Sequence, residues 1–253
     1  MCSVVILFRP GHRWPLLLGA NRDEMVSRPC RAPARHWADR PDVVAGFDEL
    51  TQGSWMGVND AGVAACVLNR VGTLGPAPGK RSRGELVLDA LDHASAEEAV
   101  TALGELDPAA WRSFNLVVAD EDRAFWLRGR DSAAARVEVF PIPEGLSLLT
   151  AHDLNDTSAP RIARFLPLLR AAPAPDPDRG DWRAWQALLA TRDEREPAHG
   201  LCIQTDVGFA TVSSGLLALP GRPRTLSEPP RRPLWLYAPG RPDVTPWTAL
   251  DLG

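Results

Sequence analysis

"MCSVVILFRPGHRWPLLLGANRDE", residues 1–24, decides how the rest of the chain is read. Val4–Phe8 is an apolar run rich in β-branched residues, Pro10-Gly11 is a turn pair, and Pro15–Leu18 is apolar again. Two short apolar runs about a Pro-Gly turn predict a β-hairpin that starts almost at the first residue. That hairpin returns the chain beside its own beginning at about residues 16–20. The polar run Asn21-Arg22-Asp23-Glu24 is then expected to open a loop next to Cys2.

A cysteine at position 2 carries chemistry of its own. Initiator methionine is removed when the second residue is small, so the mature chain is expected to begin at Cys2 with a free α-amine. An α-amine has a pKa of about 7.7–8.0 and a thiol one of about 8.5. The neutral amine can therefore take the thiol proton near neutral pH, which places nucleophile and base in one residue. Asp23 would orient the amine, and Arg22 would favour the thiolate, so Cys2 is expected to ionise more readily than a free cysteine. The competing readings are a buried cysteine acting as a small hydrophobe and a solvated Asn/Asp turn.

Working outward, the polar, proline-punctuated segment from Asn21 to about Pro41 reads as a loop that holds Cys30 and His36. Val43–Phe47 is a short strand, and Ser54–Val58 with Val63–Leu68 flank the turn formers "NDAG" as a second hairpin. A Gly/Pro loop over 72–82 precedes a helix at about 83–93. Ser95 and Glu98 form an S-x-x-E capping box for a helix over 96–104. Phe114–Ala119 and Ala124–Leu127 pair about "DEDR", and further strands are predicted at 136–140 and 145–150. Pro160 opens a helix with Ile162, Phe165, Leu166 and Leu169 on one face, and a second helix is predicted at about 181–191. Strands near 201–205, 207–212, 214–219 and 233–237 follow, with a proline-rich loop over 220–233. Hairpins interrupted by two helix pairs predict an α+β fold, a four-layer αββα sandwich of two antiparallel sheets, as one domain over 1–253.

Composition narrows the function. With 45% hydrophobic and 24% charged residues, the 253-residue chain is an ordinary globular protein. A net charge of −4 and dispersed arginines give no basic face for nucleic acid. No apolar run is long enough to span a membrane, no secretory signal is recognised, and four cysteines without a CxxC pair suit a reducing compartment, so a cytoplasmic location is expected. The histidines form no HxxxH or HExxH, and no metal or cofactor is expected.

Cys2 with "NRDE" about twenty residues on resembles the NRDE family, also called the transport and Golgi organisation protein 2 family. The resemblance continues through "GSWMGVNDAGVAACVLNR", "FNLVVAD", "LLTAHDLND" and "FATVSSGLLAL". That family in turn resembles the N-terminal-nucleophile hydrolases of the bile-salt hydrolase and penicillin V acylase branch. The resemblance implies an αββα sandwich in which Cys2 attacks an amide carbonyl, Asn21 and Asp23 match the Asn and Asp of an Arg-Asn-x-Asp element, and Asn69 supplies an oxyanion donor. Ala20 stands where that element has its arginine, with Arg22 the nearby replacement. Thr150-Ala151-His152 replaces a Thr-Asn-Asn element, leaving His152 as the ring donor there, and Val212 stands where many relatives carry a second arginine. Trp55 would line an apolar pocket beside the site.

Two functions follow. One is a Cys2-dependent amidohydrolase or acyltransferase acting on a small, partly apolar amide, with Asn21, Arg22, Asp23 and Asn69 in its machinery. The other is a carrier or chaperone on the same fold for an apolar anionic ligand such as haem or acyl-coenzyme A, which the departures at Ala20, Ala151 and Val212 favour. Either takes a small-molecule partner.

Overall fold

A computed structural model describes residues 2–131, 136–223 and 231–252. The chain divides into two compact units, one made of Met1–Arg28 with Glu144–Gly253 and the other of Pro29–Pro143.

The first unit is built on one antiparallel sheet. Its strands are β1 (Ser3–Phe8), β2 (Leu16–Met25), β10 (Gly145–Leu149), β11 (Phe209–Leu219), β12 (Leu234–Ala238) and β13 (Thr248–Ala249). They lie in the order β10-β1-β2-β11-β12-β13. The opening hairpin forms as predicted, with Val4 opposite Ala20 and Phe8 opposite Leu16. Two helices, α3 (Pro160–Ala171) and α4 (Arg183–Leu189), cover one face. Their apolar residues Ile162, Phe165, Leu169 and Trp185 cluster with Val5, Leu7, Leu17, Leu148 and Leu216 of the sheet. Alternation along a strand therefore assigns Ser3, Asn21 and Asp23 to the helix-covered face, and Ala20 and Arg22 to the opposite one. Gly19 is required on that helix-covered face, because a Cβ there would lie 2.9 Å from a ring carbon of Trp185.

The second unit is a seven-stranded antiparallel sheet: β3 (Cys30–Ala34), β4 (Val43–Asp48), β5 (Met56–Asn59), β6 (Ala64–Asn69), β7 (Phe114–Ala119), β8 (Ala124–Gly129) and β9 (Glu138–Pro141). Neighbours in sequence are neighbours in the sheet, as hairpin connections dictate. Helices α1 (Gly84–Leu91) and α2 (Ala96–Gly104) pack Leu86, Leu91, Val100 and Leu103 against Val43, Ala65, Leu116 and Val118. The Ser95 hydroxyl caps α2 by accepting from the Glu98 backbone N–H at 3.2 Å. Glu98 reaches back to the N–H of Ala94 rather than to the cap residue itself.

Several expectations are corrected. Asn21–Glu24 is strand, not loop: β2 runs on to Met25 because β11 pairs with it along its whole length, giving these backbone groups partners. The predicted strands at 207–212 and 214–219 are one strand, β11, with a bulge at Val212. Residues 201–205 are not a strand. There the backbone of Leu201 and Cys202 is taken by the Asn21 side chain and the Thr191 carbonyl. Within the predicted loop 21–41, Cys30–Ala34 is an edge strand, and Pro33 is tolerated because the register breaks between Arg31 and Ala34. Residues 224–230 of the predicted 220–233 loop lie outside the described residues. Among the described residues no helix is long and apolar enough to cross a membrane.

Candidate active site

In the first unit the hairpin register, extended by one residue, sets Cys2 opposite Arg22. The Cys2 sulfur accepts the backbone N–H of Asp23 at 3.3 Å, and its own S–H points to the Asp23 carbonyl at 3.7 Å. A backbone N–H aimed at sulfur stabilises developing negative charge. Burial nonetheless pushes the thiol pKa up, the Asp23 carboxylate adds to the rise, and the amino-terminal charge, the N–H bond and the Arg22 guanidinium only partly offset them. The expectation that the thiolate forms more readily than in a free cysteine is therefore corrected: the thiol pKa is raised rather than lowered.

Asp23 is buried, and its carboxylate is held from two directions. The Thr211 hydroxyl donates to Oδ1 at 2.6 Å, and Nη1 of Arg161 lies 3.7 Å from Oδ2. The bulge at Val212 makes the first contact possible. Without the extra residue, Thr211 would face the other side of the sheet from Asp23. Thr211 is itself fixed by accepting the backbone N–H of Ile203 at 2.9 Å.

Asn21 is equally committed. Its Nδ2 donates to the carbonyls of Leu189 and Leu201, both at 2.9 Å, and its Oδ1 accepts from Ser214 at 2.7 Å. These partners tie the end of α4 and the segment before β11 to the middle of the sheet. Arg22 is buried too, at 7% exposure, on the face that alternation also gives to Cys2. The structure therefore sets Cys2 and Arg22 on one face of the sheet and the Asn21 and Asp23 side chains on the other, with the Asp23 backbone joining the two through the Cys2 sulfur.

His152 lies just beyond β10, half-buried, with its backbone N–H 3.4 Å from the Thr150 hydroxyl. Asn69 and Trp55 belong to the second unit. Asn69 ends β6, where alternation puts it on the face of Ala65 and Val67, and its amide donates to the Arg70 carbonyl at 3.1 Å. Trp55 packs its indole ring against Gly46 of β4, where an added Cβ would collide with it. Gly46→Ala should displace that ring and cost about 1–3 kcal/mol of stability, the usual range for overpacking, measured by chemical unfolding. An unchanged midpoint would show that the ring is free to move aside.

Two participants escape a reading of the sequence. Thr211 gives no local signal that it faces a carboxylate. Arg161, the second residue of α3, lies in a helix whose apolar stripe explains the neighbouring positions. Burial draws its pKa below the ordinary guanidinium value, while Asp23 and Cys2 pull it back up.

Comparisons with known proteins bear on the family and the fold. A model of the family described as Transport and Golgi organisation 2 matches residues 1–174. The transport and Golgi organization protein 2 homolog of Bos taurus is 35% identical over 133 residues, covering 47% of this chain and 45% of that protein. The Homo sapiens homolog is 32% identical over the same length and coverage, so the match spans just under half of these curated relatives. Among solved structures, a Caenorhabditis elegans ortholog of N-acylethanolamine-hydrolyzing acid amidase superposes with a TM-score of 0.59 at 14% identity, over 88% of this chain and 94% of that one. A mutant conjugated bile acid hydrolase from Clostridium perfringens gives 0.50 at 12% identity, over 100% and 97% of the two chains. Penicillin V acylase from Agrobacterium tumefaciens gives 0.50 at 13%, over 94% and 83%. At such identities the likeness concerns fold alone: an α+β fold of the N-terminal-nucleophile hydrolase type, with two antiparallel sheets.

Proposed function

This chain belongs to the Transport and Golgi organisation 2 family, and we propose that it is a Cys2-dependent hydrolase or acyltransferase acting on a small, partly apolar amide. The observation that carries the reading is the Asp23 backbone N–H on the Cys2 sulfur at 3.3 Å, at the start of a fold shared with amide-cleaving proteins. Both units belong to one functional domain in this reading, which the 88% coverage by the nematode amidase likeness supports.

Nucleophile and base both come from Cys2 itself. Removal of Met1 exposes the α-amine of Cys2. As the sulfur attacks the amide carbonyl, the thiol proton passes to that amine, so the raised resting pKa of the thiol is compatible with attack. The C–S bond forms, the carbonyl oxygen becomes an oxyanion, and the ammonium returns the proton to the departing nitrogen as the C–N bond breaks. Water or an acceptor amine, deprotonated by the same α-amine, then attacks the thioester and restores the thiol. Asp23 orients the ammonium, Arg22 offsets its charge at the sulfur, and Asn21 holds the strand on which both stand. His152, in the same unit as Cys2, is the proposed donor to the oxyanion. Free thiols at Cys2, Cys30, Cys66 and Cys202 support a cytoplasmic setting.

Mass analysis of the purified protein is expected to show a chain that starts at Cys2. Retained Met1 would remove the proposed base and sink the mechanism. The same sample bears on thiol reactivity, since Cys202 is buried against Asp243 and pushed up to about 12. Iodoacetamide at pH 8 should therefore leave Cys202 unmodified. Alkylation of Cys2 should climb only as pH rises above the ordinary thiol range, because its pKa is raised in the folded chain. A Cys2 profile centred at or below about 8.5 would contradict the burial argument. The carrier reading predicts no covalent adduct at Cys2 and ligand binding unchanged in Cys2→Ser.

A further inference from the structure

Neither Ala20 nor Val212 supplies a cation, yet a buried carboxylate lies beside the nucleophile. We propose that Arg161, entering from the first turn of α3, is the positioning residue that compensates Asp23 and fixes the strand carrying Cys2. The inference rests on Cys2 being the reactive thiol of the proposed function.

Arg161 is 5% exposed, and its guanidinium uses its fork in three directions. Nη1 donates to the Ser3 hydroxyl at 2.9 Å and lies 3.7 Å from Asp23 Oδ2. Nε and Nη2 both donate to the Ala198 carbonyl, at 3.2 and 2.7 Å. One planar side chain thus joins the residue after the nucleophile, the carboxylate whose backbone N–H touches the sulfur, and the single helical turn Pro197–His199. A lysine could meet one of these partners but not all three.

The position also explains why the cation need not come from β2 or β11. Asp23 turns its side chain to the helix-covered face, whereas Ala20 belongs to the opposite one. On that face a charge is delivered by a helix, and Pro160 at its first position sets the helix start so that residue 161 points back at the sheet. Among the described residues the charged groups that act on the sulfur are Arg22 and Asp23 from β2 and Arg161 from α3, joined in the mature chain by the α-amine itself. Arg161 balances the one member of this set that opposes a thiolate.

The test is the pH profile of Cys2 alkylation, read by peptide mass in the full chain. It reports on the thiol whether or not any amide is turned over. In Arg161→Gln the midpoint is expected to rise by about one pH unit, a roughly tenfold slower reaction at a fixed pH below it. The plateau rate at high pH should stay the same, because access to the sulfur is not the thing changed. Asp23→Asn should lower the midpoint, and Asp23→Asn/Arg161→Gln should return it toward the parent value. Arg161→Lys, which keeps the charge, should fall between the parent and Arg161→Gln. An unmoved midpoint in Arg161→Gln, or a change confined to the plateau, would overturn the inference. If Arg161→Gln does not fold, the doubly neutral variant is compared with Asp23→Asn alone, and an identical midpoint there overturns it equally. A midpoint shift without any acylation of Cys2 would leave this inference standing and remove the proposed function.

Discussion

Cys2→Ala is expected to reduce turnover of any amide that the protein cleaves by at least about a thousandfold, while leaving the fold intact. Alanine is small, so methionine removal proceeds and the α-amine stays in place. Only the sulfur is lost. A site whose nucleophile is gone keeps at most the residual catalysis that binding and oxyanion donors provide, and single-nucleophile losses of about 10³-fold or more are the rule. The neighbours of the sulfur are the backbone N–H and carbonyl of Asp23, while β2 is held by its pairing with β1 over Ser3–Phe8 and with β11, which does not depend on the sulfur. Thermal unfolding should accordingly move little. Cleavage by Cys2→Ala at the parent rate, measured on a panel of small N-acyl amides, would assign the activity to another group.

Asn21→Ala should show the largest stability effect of any residue at the site. The side chain is buried, makes three hydrogen bonds, and its partners are two backbone carbonyls and a serine hydroxyl that are inside the protein as well. Leaving buried polar groups without partners costs about 1–3 kcal/mol each, with some relief from relaxation. The expected loss is about 3 kcal/mol, more than a hundredfold in the folding equilibrium. It should be accompanied by earlier proteolysis between Leu189 and Leu201, the segment those bonds tie down. A loss under about 1 kcal/mol would mean that the carbonyls find other donors, and that Asn21 does not hold this part of the sheet.

This division of labour shows what the chain makes legible and what it hides. The opening hairpin was readable because Pro10-Gly11 separates two apolar runs, and "NDAG" marked the β5–β6 hairpin for the same reason. The α2 cap was readable because capping is local: serine, then glutamate three residues on. The family resemblance and the α+β class rested on such local features and agree with the structure. Asn21–Glu24 looked like a loop because Asn, Asp and Arg are turn formers or solvated residues on their own. They lie in a strand only because β11, nearly two hundred residues away, supplies the ladder and the hydroxyls of Thr211 and Ser214.

Arg161 was hidden for a related reason. Its neighbours Ile162, Phe165 and Leu169 account for the helix, and nothing within a few residues shows that its guanidinium reaches Ser3 and Asp23. A bulge such as that at Val212 has no signature either, although it decides which face Thr211 takes. The raised thiol is hidden in the sequence because the charges near Cys2 are visible there and its burial, which outweighs Arg22, is not. Contacts distant in sequence, in each case, set the property.

The most direct test of the central claim is the intact mass of the purified protein before and after exposure to a thiol-acylating probe, with the modified peptide mapped. One acyl group on the peptide that begins at Cys2, absent from Cys2→Ala and lost again on incubation in water, is the predicted result. No adduct, or an adduct on Cys30 while Cys2 stays unmodified, would contradict it.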